Sequence, residues 1–192
     1  MKIGVLALQG AFREHREVLD ALGVEAVEVR TPAELGALDA LILPGGESTT
    51  MSKLLDSSGV RVPLGELLAD GLPVFGTCAG MILLARDVVD GRPDQESFGA
   101  IDIAVRRNAY GRQRDSFETP LAVDGLAGGP FPGVFIRAPR IESVGERVEV
   151  LARHDDVPVL ARQGPVFVAS FHPELSGDLR LHEFFLTESE RT

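Results

Sequence analysis

Pro73-Val74-Phe75-Gly76-Thr77-Cys78-Ala79-Gly80-Met81-Ile82-Leu83-Leu84-Ala85 passes from a short apolar strand (73–75), through a glycine-flanked turn, into an apolar helical stretch (81–85). A G-x-nucleophile-x-G turn forces its central residue into a sharp, strained elbow, and the flanking glycines allow neighbouring backbone to come close. Such an elbow lifts a side chain above the carboxyl edge of a parallel sheet, where open α/β sheets bind ligands. The helix that follows favours a thiolate at its N-terminus, the reactive form of cysteine. It also offers the Ala79 N–H to a developing oxyanion. The competing reading is that Cys78 is a small buried hydrophobe, as free cysteines often are.

Toward the N-terminus the chain alternates strands and helices. Residues 2–8 form an apolar run of β-formers, followed by a turn at Gln9-Gly10. Ala11, His15, Val18, Leu19 and Leu22 then share one helical face, with Gly23 as the stop. Residues 25–30 read as a second strand, and Thr31, Pro32 and Glu34 as the cap, first position and capping-box acid of a helix. Residues 40–43 form a third strand that ends at Pro44-Gly45-Gly46, with helices near 49–56 and 63–70. Toward the C-terminus, 87–98 is polar and irregular and reads as an exposed loop. Short strands follow at 100–105, 117–123, 134–136, 148–152, 157–162 and 166–170, several of them antiparallel. Leu181, Phe184 and Phe185 mark a closing helix. The sum is an α/β fold of three layers: a mainly parallel open sheet flanked by helices, with added antiparallel strands, in one domain over residues 1–192.

Bulk properties narrow the function. A formal net charge of -10 repels phosphate backbones and argues against nucleic-acid binding. With 44% hydrophobic and 25% charged residues, the chain has the balance of a soluble globular protein. One cysteine forms no internal disulfide and no multi-cysteine zinc site; no cofactor and no metal is expected. The opening apolar run is too short to span a membrane and lacks a cleavage site, which points to a cytoplasmic protein away from membranes.

A thiol nucleophile needs a base and a group to orient it. Of the four histidines, His15 lies on the stripe of the first helix, His182 in the closing helix, and His154 in a charged turn, all readable as structural or surface groups. His172 instead follows a β-like run and precedes Pro173-Glu174, so Glu174 is placed to fix its tautomer. Pro44-Gly45-Gly46-Glu47-Ser48 lets backbone N–H groups turn toward a bound group, suiting the second half of an oxyanion hole; an ordinary strand-to-helix turn is the equal alternative. It lacks the G-K-[ST] ending of a phosphate loop. The basic island from Arg106 to Arg114 and the pair Arg137 and Arg140 are candidates for bidentate carboxylate binding, against solvated loops as the alternative.

Together these residues resemble the class I glutamine amidotransferases, which carry a Cys-His-Glu triad on a flavodoxin-like sheet. More narrowly, the chain resembles the glutaminase subunits of pyridoxal 5′-phosphate synthase. The narrower likeness rests on Leu8-Gln9-Gly10-Ala11, on Gly45-Gly46-Glu47-Ser48-Thr49-Thr50 and on Arg107-Asn108-Ala109-Tyr110-Gly111-Arg112-Gln113. The resemblance implies that Cys78 attacks the side-chain amide of L-glutamine and forms a thioester, with His172 as base and Glu174 orienting it. Gly46, Glu47, Ser48, Arg107, Ile136 and Arg137 would bind glutamine, and the Gly46 and Ala79 N–H groups would form the oxyanion hole. Ammonia would pass to a barrel-shaped synthase subunit that makes pyridoxal 5′-phosphate (vitamin B6) from ribose 5-phosphate and glyceraldehyde 3-phosphate. Twelve glutaminase subunits would decorate a twelve-membered core and be nearly silent without it.

Three rivals are distinguishable. A glutaminase feeding another acceptor would share the triad but not the narrower runs. An elbow-cysteine hydrolase of the intracellular protease type usually carries histidine directly after the cysteine, where this chain has Ala79. A non-enzymatic module on the same fold would lack a triad member, and none is missing.

Overall fold

The strands at the centre of the main sheet are apolar on both faces because helices cover both sides of it. In a computed structural model, which describes residues 1–92, 95–107 and 116–191, four such strands lie side by side. These are β1 (Lys2–Leu6), β3 (Ala40–Leu43), β4 (Val74–Thr77) and β12 (Val166–Ala169), almost every residue of which is buried. They belong to a seven-stranded sheet in the order β10-β11-β12-β4-β3-β1-β2, where β2 is Glu25–Val29, β10 is Glu149–His154 and β11 is Val157–Gln163. The run from β2 to β12 is parallel, and β11 and β10 extend it antiparallel. The order reverses between β1 and β3, so the carboxyl ends of β1, β3, β4 and β12 open one crevice.

Alternate side chains feed two cores. Leu41, Leu43 and Val74 face helices α2 (Ser48–Ser57), α3 (Arg61–Ala69) and α4 (Ala79–Leu84). Ala40, Ile42 and Phe75 face α1 (Phe12–Ala21) and α5 (Arg180–Ser189), through Leu19, Leu181 and Phe185. Phe75 and Phe185 lie 5.5 Å apart between ring centroids. Burying an aromatic of this size contributes ~1.5–3 kcal/mol.

Two small sheets sit beside the main one. One is β5-β6-β9, from β5 (Ala85–Val88), β6 (Ile101–Arg106) and β9 (Arg140–Val144); the other pairs β7 (Ser116–Leu121) with β8 (Phe131–Ile136). The ends of β6 and β8 carry Arg107 and Arg137 toward the crevice.

Four parts of the fold differ from what the sequence leads one to expect. The start at Thr31 has its capping box, with the Glu34 carboxylate accepting from the Thr31 N–H at 2.6 Å, but it opens a single 3-10 turn over Pro32–Leu35. Gly36 is extended and Ala37 left-handed (φ 59°), so no helix continues. The expected loop at 87–98 begins inside β5, which pairs with β6, and its Phe98 is half-buried with its N–H bonded to Leu83 at 2.7 Å. Strand β9 has no counterpart in the sequence reading, because only Ile141 of its five residues is buried and no alternation marks it. His154 is not a solvated turn residue: it ends β10 with its ring 5.2 Å from Phe117 and 5.7 Å from Phe135. Most of the basic island, residues 108–114, lies outside the described residues. Among the described residues no helix is long and apolar enough to cross a membrane.

Candidate active site

Cys78 sits between β4 and α4 with φ 49°, a left-handed conformation that a non-glycine residue rarely holds. Its neighbours enforce it. The Cys78 N–H donates to Ala169 O on β12 at 2.8 Å, and its carbonyl accepts from Ile82 N–H at 3.3 Å. Gly76 and Gly80 are required by crowding: a methyl on Gly76 would meet Leu84 and the Gly80 backbone, and one on Gly80 would meet the Leu43 carbonyl. The elbow thus exists because small residues let β3, β4 and α4 close on one another.

His172 is fixed beside it. Its backbone N–H donates to Val134 O on β8 at 2.8 Å, and its ring Nδ1 lies 2.7 Å from Glu174 Oε1. With Nδ1 engaged, Nε2 is the nitrogen left for Cys78. The two side chains are nearly buried, at 8% exposure for both Cys78 and His172, so their charges meet little screening water. Burial alone would lower the His172 pKa, but hydrogen bonds and charge from Cys78 and Glu174 outweigh it and raise it to about 10. His172 therefore keeps its proton at neutral pH, and a positive imidazole is the partner a thiolate needs.

Glu174 lies on the 3-10 turn Pro173–Leu175, behind His172 and away from the cavity. Burial pushes its carboxyl up, but the His15 and His172 imidazoles at its two oxygens more than offset this and hold it below the usual carboxylate range. His15 and His182, readable from sequence as structural or surface groups, are fully buried in this wall. His15 Nε2 is 3.3 Å from Glu174 Oε2 and 3.1 Å from Thr77 Oγ1, and His15 Nδ1 is 2.9 Å from His182 Nε2.

In front of Cys78 lies a cavity of about 420 Å³. Gly46, Glu47, Ser48, Cys78, Arg107, Ile136, Arg137 and His172 all line it, together with Gln9, Gly10, Ala11, Gly45, Ile82 and Pro139. Of the expected set only Glu174 and Ala79 are not in the lining; Ala79 opens α4, where its N–H belongs to the turn that lacks intrahelical acceptors. Arg137 has φ 44°, a second strained non-glycine position at the rim. Arg107 is 3.6 Å from Glu47 and donates to Gln95 Oε1 at 2.8 Å, so a cation and an anion face the same space. Gln95 and Ile82 are absent from the site residues expected from the sequence. Ile82, one helical turn after Cys78, was within reach of the spacing; Gln95, in the 87–98 segment, had no signal.

The Gly45-Gly46 turn is locked to the end of β1. Gly45 O accepts from Ala11 N–H at 2.9 Å, and the Gln9 side-chain oxygen accepts from Glu47 N–H at 2.8 Å. Because a trans peptide sets N–H opposite C=O, the Gly46 N–H faces away from the Ala11 N–H. The Glu47 carboxylate also caps α2, accepting from Thr49 and Thr50 N–H at 3.2 and 2.6 Å. The motif is therefore both a helix start, capped by Glu47, and a wall of the cavity.

Known proteins resemble this chain throughout. The family model of the SNO glutamine amidotransferase family matches residues 5–191. A pyridoxal 5'-phosphate synthase subunit PdxT from Parafrankia sp. (strain EAN1pec) is 58% identical over 96% of this chain and 91% of its own length. One from Pelotomaculum thermopropionicum is 56% identical over 100% and 96%. A crystal structure of a glutamine amidotransferase superposes with a TM-score of 0.92 at 54% identity, covering 98% of both chains. PurLQS from Thermotoga maritima, at 18% identity and a TM-score of 0.69, shares the fold.

Proposed function

Because the chain belongs to the SNO glutamine amidotransferase family, we propose that it is the glutaminase subunit of a pyridoxal 5′-phosphate synthase, hydrolysing L-glutamine through Cys78, His172 and Glu174. The observation that carries this reading is the strained cysteine beside a histidine whose proton is held by Cys78 on one side and Glu174 on the other. The Cys78 sulfur attacks the side-chain amide carbon. As the C–N bond breaks, His172 gives its proton to the nitrogen and ammonia leaves. Water then gives a proton to His172 and attacks the thioester, the C–S bond breaks, and glutamate is released. Gly46 and Ala79 N–H groups receive the oxyanion of both steps. Arg107 and Arg137 take the substrate α-carboxylate and Glu47 its ammonium, while Ser48 and Ile136 complete the wall.

One glutaminase domain in the cytoplasm, docked with eleven others on a twelve-membered synthase core, is the assembly this reading implies. The partner has a lever. Pressure on Gln9-Gly10-Ala11 would reach the Gly45-Gly46 peptide through the Ala11–Gly45 and Gln9–Glu47 hydrogen bonds. Re-aiming one oxyanion donor is worth about 10²–10³ in rate. Titration of the synthase subunit into this chain, read by ammonia release and sedimentation, tests it. A rate that climbs to a plateau is expected; no change in either readout sinks the coupled reading.

A further inference from the structure

The triad does not end at Glu174. Its Oε1 is taken by His172, but its buried Oε2 has no hydrogen bond of good geometry among the described residues. The nitrogen beside it is His15 Nε2, at 3.3 Å, which also lies 3.1 Å from Thr77 Oγ1. A buried carboxylate oxygen without a donor is costly, and a small ring rotation lets one N–H serve both acceptors.

Resting on the glutaminase reading above, we propose that His15 is a positioning residue for the triad. It gives its Nε2–H to the second oxygen of Glu174, while His182 fixes the tautomer that makes this donation available. The geometry selects that tautomer. If His15 carried its proton on Nδ1, its Nε2 lone pair would face the carboxylate. His182 would then carry its own proton on Nδ1, which has no partner among the described residues. A buried N–H without an acceptor is the rarer and costlier defect. With the protons on both Nε2 atoms, His182 donates into His15 Nδ1 at 2.9 Å, His15 donates toward Glu174, and only a lone pair is left over.

His15 is surrounded by Thr77 at the end of β4, Glu174 on the 3-10 turn and His182 on α5, with His172 beyond Glu174 and Glu14 beside it on α1. Burial, partly offset by Glu174, lowers its pKa, and burial pushes that of His182 down to about 3, so both are neutral imidazoles. A neutral donor fits the task. It holds the carboxylate in place without adding a charge that would compete with His172 for it.

The test is kcat and KM for ammonia release by the complex with the synthase subunit, with thermal unfolding as the control. His15→Leu keeps the volume and removes the donor; kcat is expected to fall on the order of ten-fold with KM nearly unchanged, the fold-change typical of a hydrogen bond to a charged group. His15→Gln, whose amide N–H reaches the Nε2 position, should recover most of kcat. Wild-type kcat in His15→Leu, or a folded His15→Gln as slow as His15→Leu, overturns the proposal. If His15→Leu is too unstable to assay, His182→Phe leaves His15 without its tautomer lock and should lower kcat several-fold; wild-type kcat there overturns it too. A wild-type complex that releases no ammonia strikes the glutaminase reading instead.

Discussion

On the solvent side of His172 the site is made of turns, and on the far side it is made of packed elements. The front consists of Gly45-Gly46-Glu47-Ser48, the Cys78 elbow and the two arginine-bearing strand ends, all open to one cavity. The back consists of Glu174, His15, Thr77 and His182, each 7% exposed or less, contributed by a 3-10 turn, α1, β4 and α5. On the function proposed above, a partner pulling on the β1–α1 turn would reshape the front through the Ala11–Gly45 and Gln9–Glu47 hydrogen bonds. The back anchors the base through the Glu174–His172 hydrogen bond, with Glu174 itself buried. Such a pairing, an adjustable oxyanion site before an anchored base, would suit a nucleophile that its proposed partner switches on.

The largest break in this comparison is at the front. Cys78→Ala removes the nucleophile, and ammonia release by the synthase complex should fall to background, on the order of 10⁴-fold or more, with circular dichroism and melting unchanged. Near-normal release would end the mechanism. At the hinge between the regions, His172→Ala should cost about 10²–10⁴-fold, the range of general acid–base catalysis. Glu174→Gln should cost less, because it orients and stabilises the base without moving the proton itself. It also carries a pH signature. His172 keeps its proton up to about 10 partly because Glu174 is charged. Wild-type activity should therefore decline as pH nears that value, and Glu174→Gln should move the alkaline limb to lower pH. A limb that stays put, or a glutamine variant slower than His172→Ala, would reassign these roles.

Gly45 is where the two regions touch. A methyl there would run into the His172 ring, and Gly45→Ala should cost roughly 10²-fold in kcat by displacing the base. A fully active alanine variant would show that the ring has room to move. The smallest effect is expected at the rim. Arg107→Lys loses the planar fork that Gln95 orients, so KM for glutamine should rise about ten-fold with kcat held. A change in kcat alone would place Arg107 in catalysis instead.

The same division explains what could be read from the sequence. Front residues announce themselves because turns are local: Gly76, Cys78 and Gly80, or Gly45 and Gly46, lie within a few positions of one another and carry their geometry in their side chains, or the lack of them. His172 and Glu174 are two residues apart and were legible once the elbow supplied a nucleophile. The parallel core is equally plain, since β1, β3, β4 and β12 are nearly continuous apolar runs. His15 and His182 stand 167 residues apart and meet only because α1 and α5 cover the same face of the sheet. On its own helix each looks like a residue of the apolar stripe. Strand β9 escaped for a related reason: an edge strand buries too few side chains to leave a period.

The most direct measurement is where a glutamine-analogue electrophile attaches. The synthase complex is incubated with a chloroketone analogue of glutamine, with and without excess glutamine, and peptides are mapped by mass spectrometry. The account predicts one adduct, on Cys78, suppressed by glutamine. Label on any other residue with Cys78 left free, or label on Cys78 that glutamine does not suppress, would contradict it.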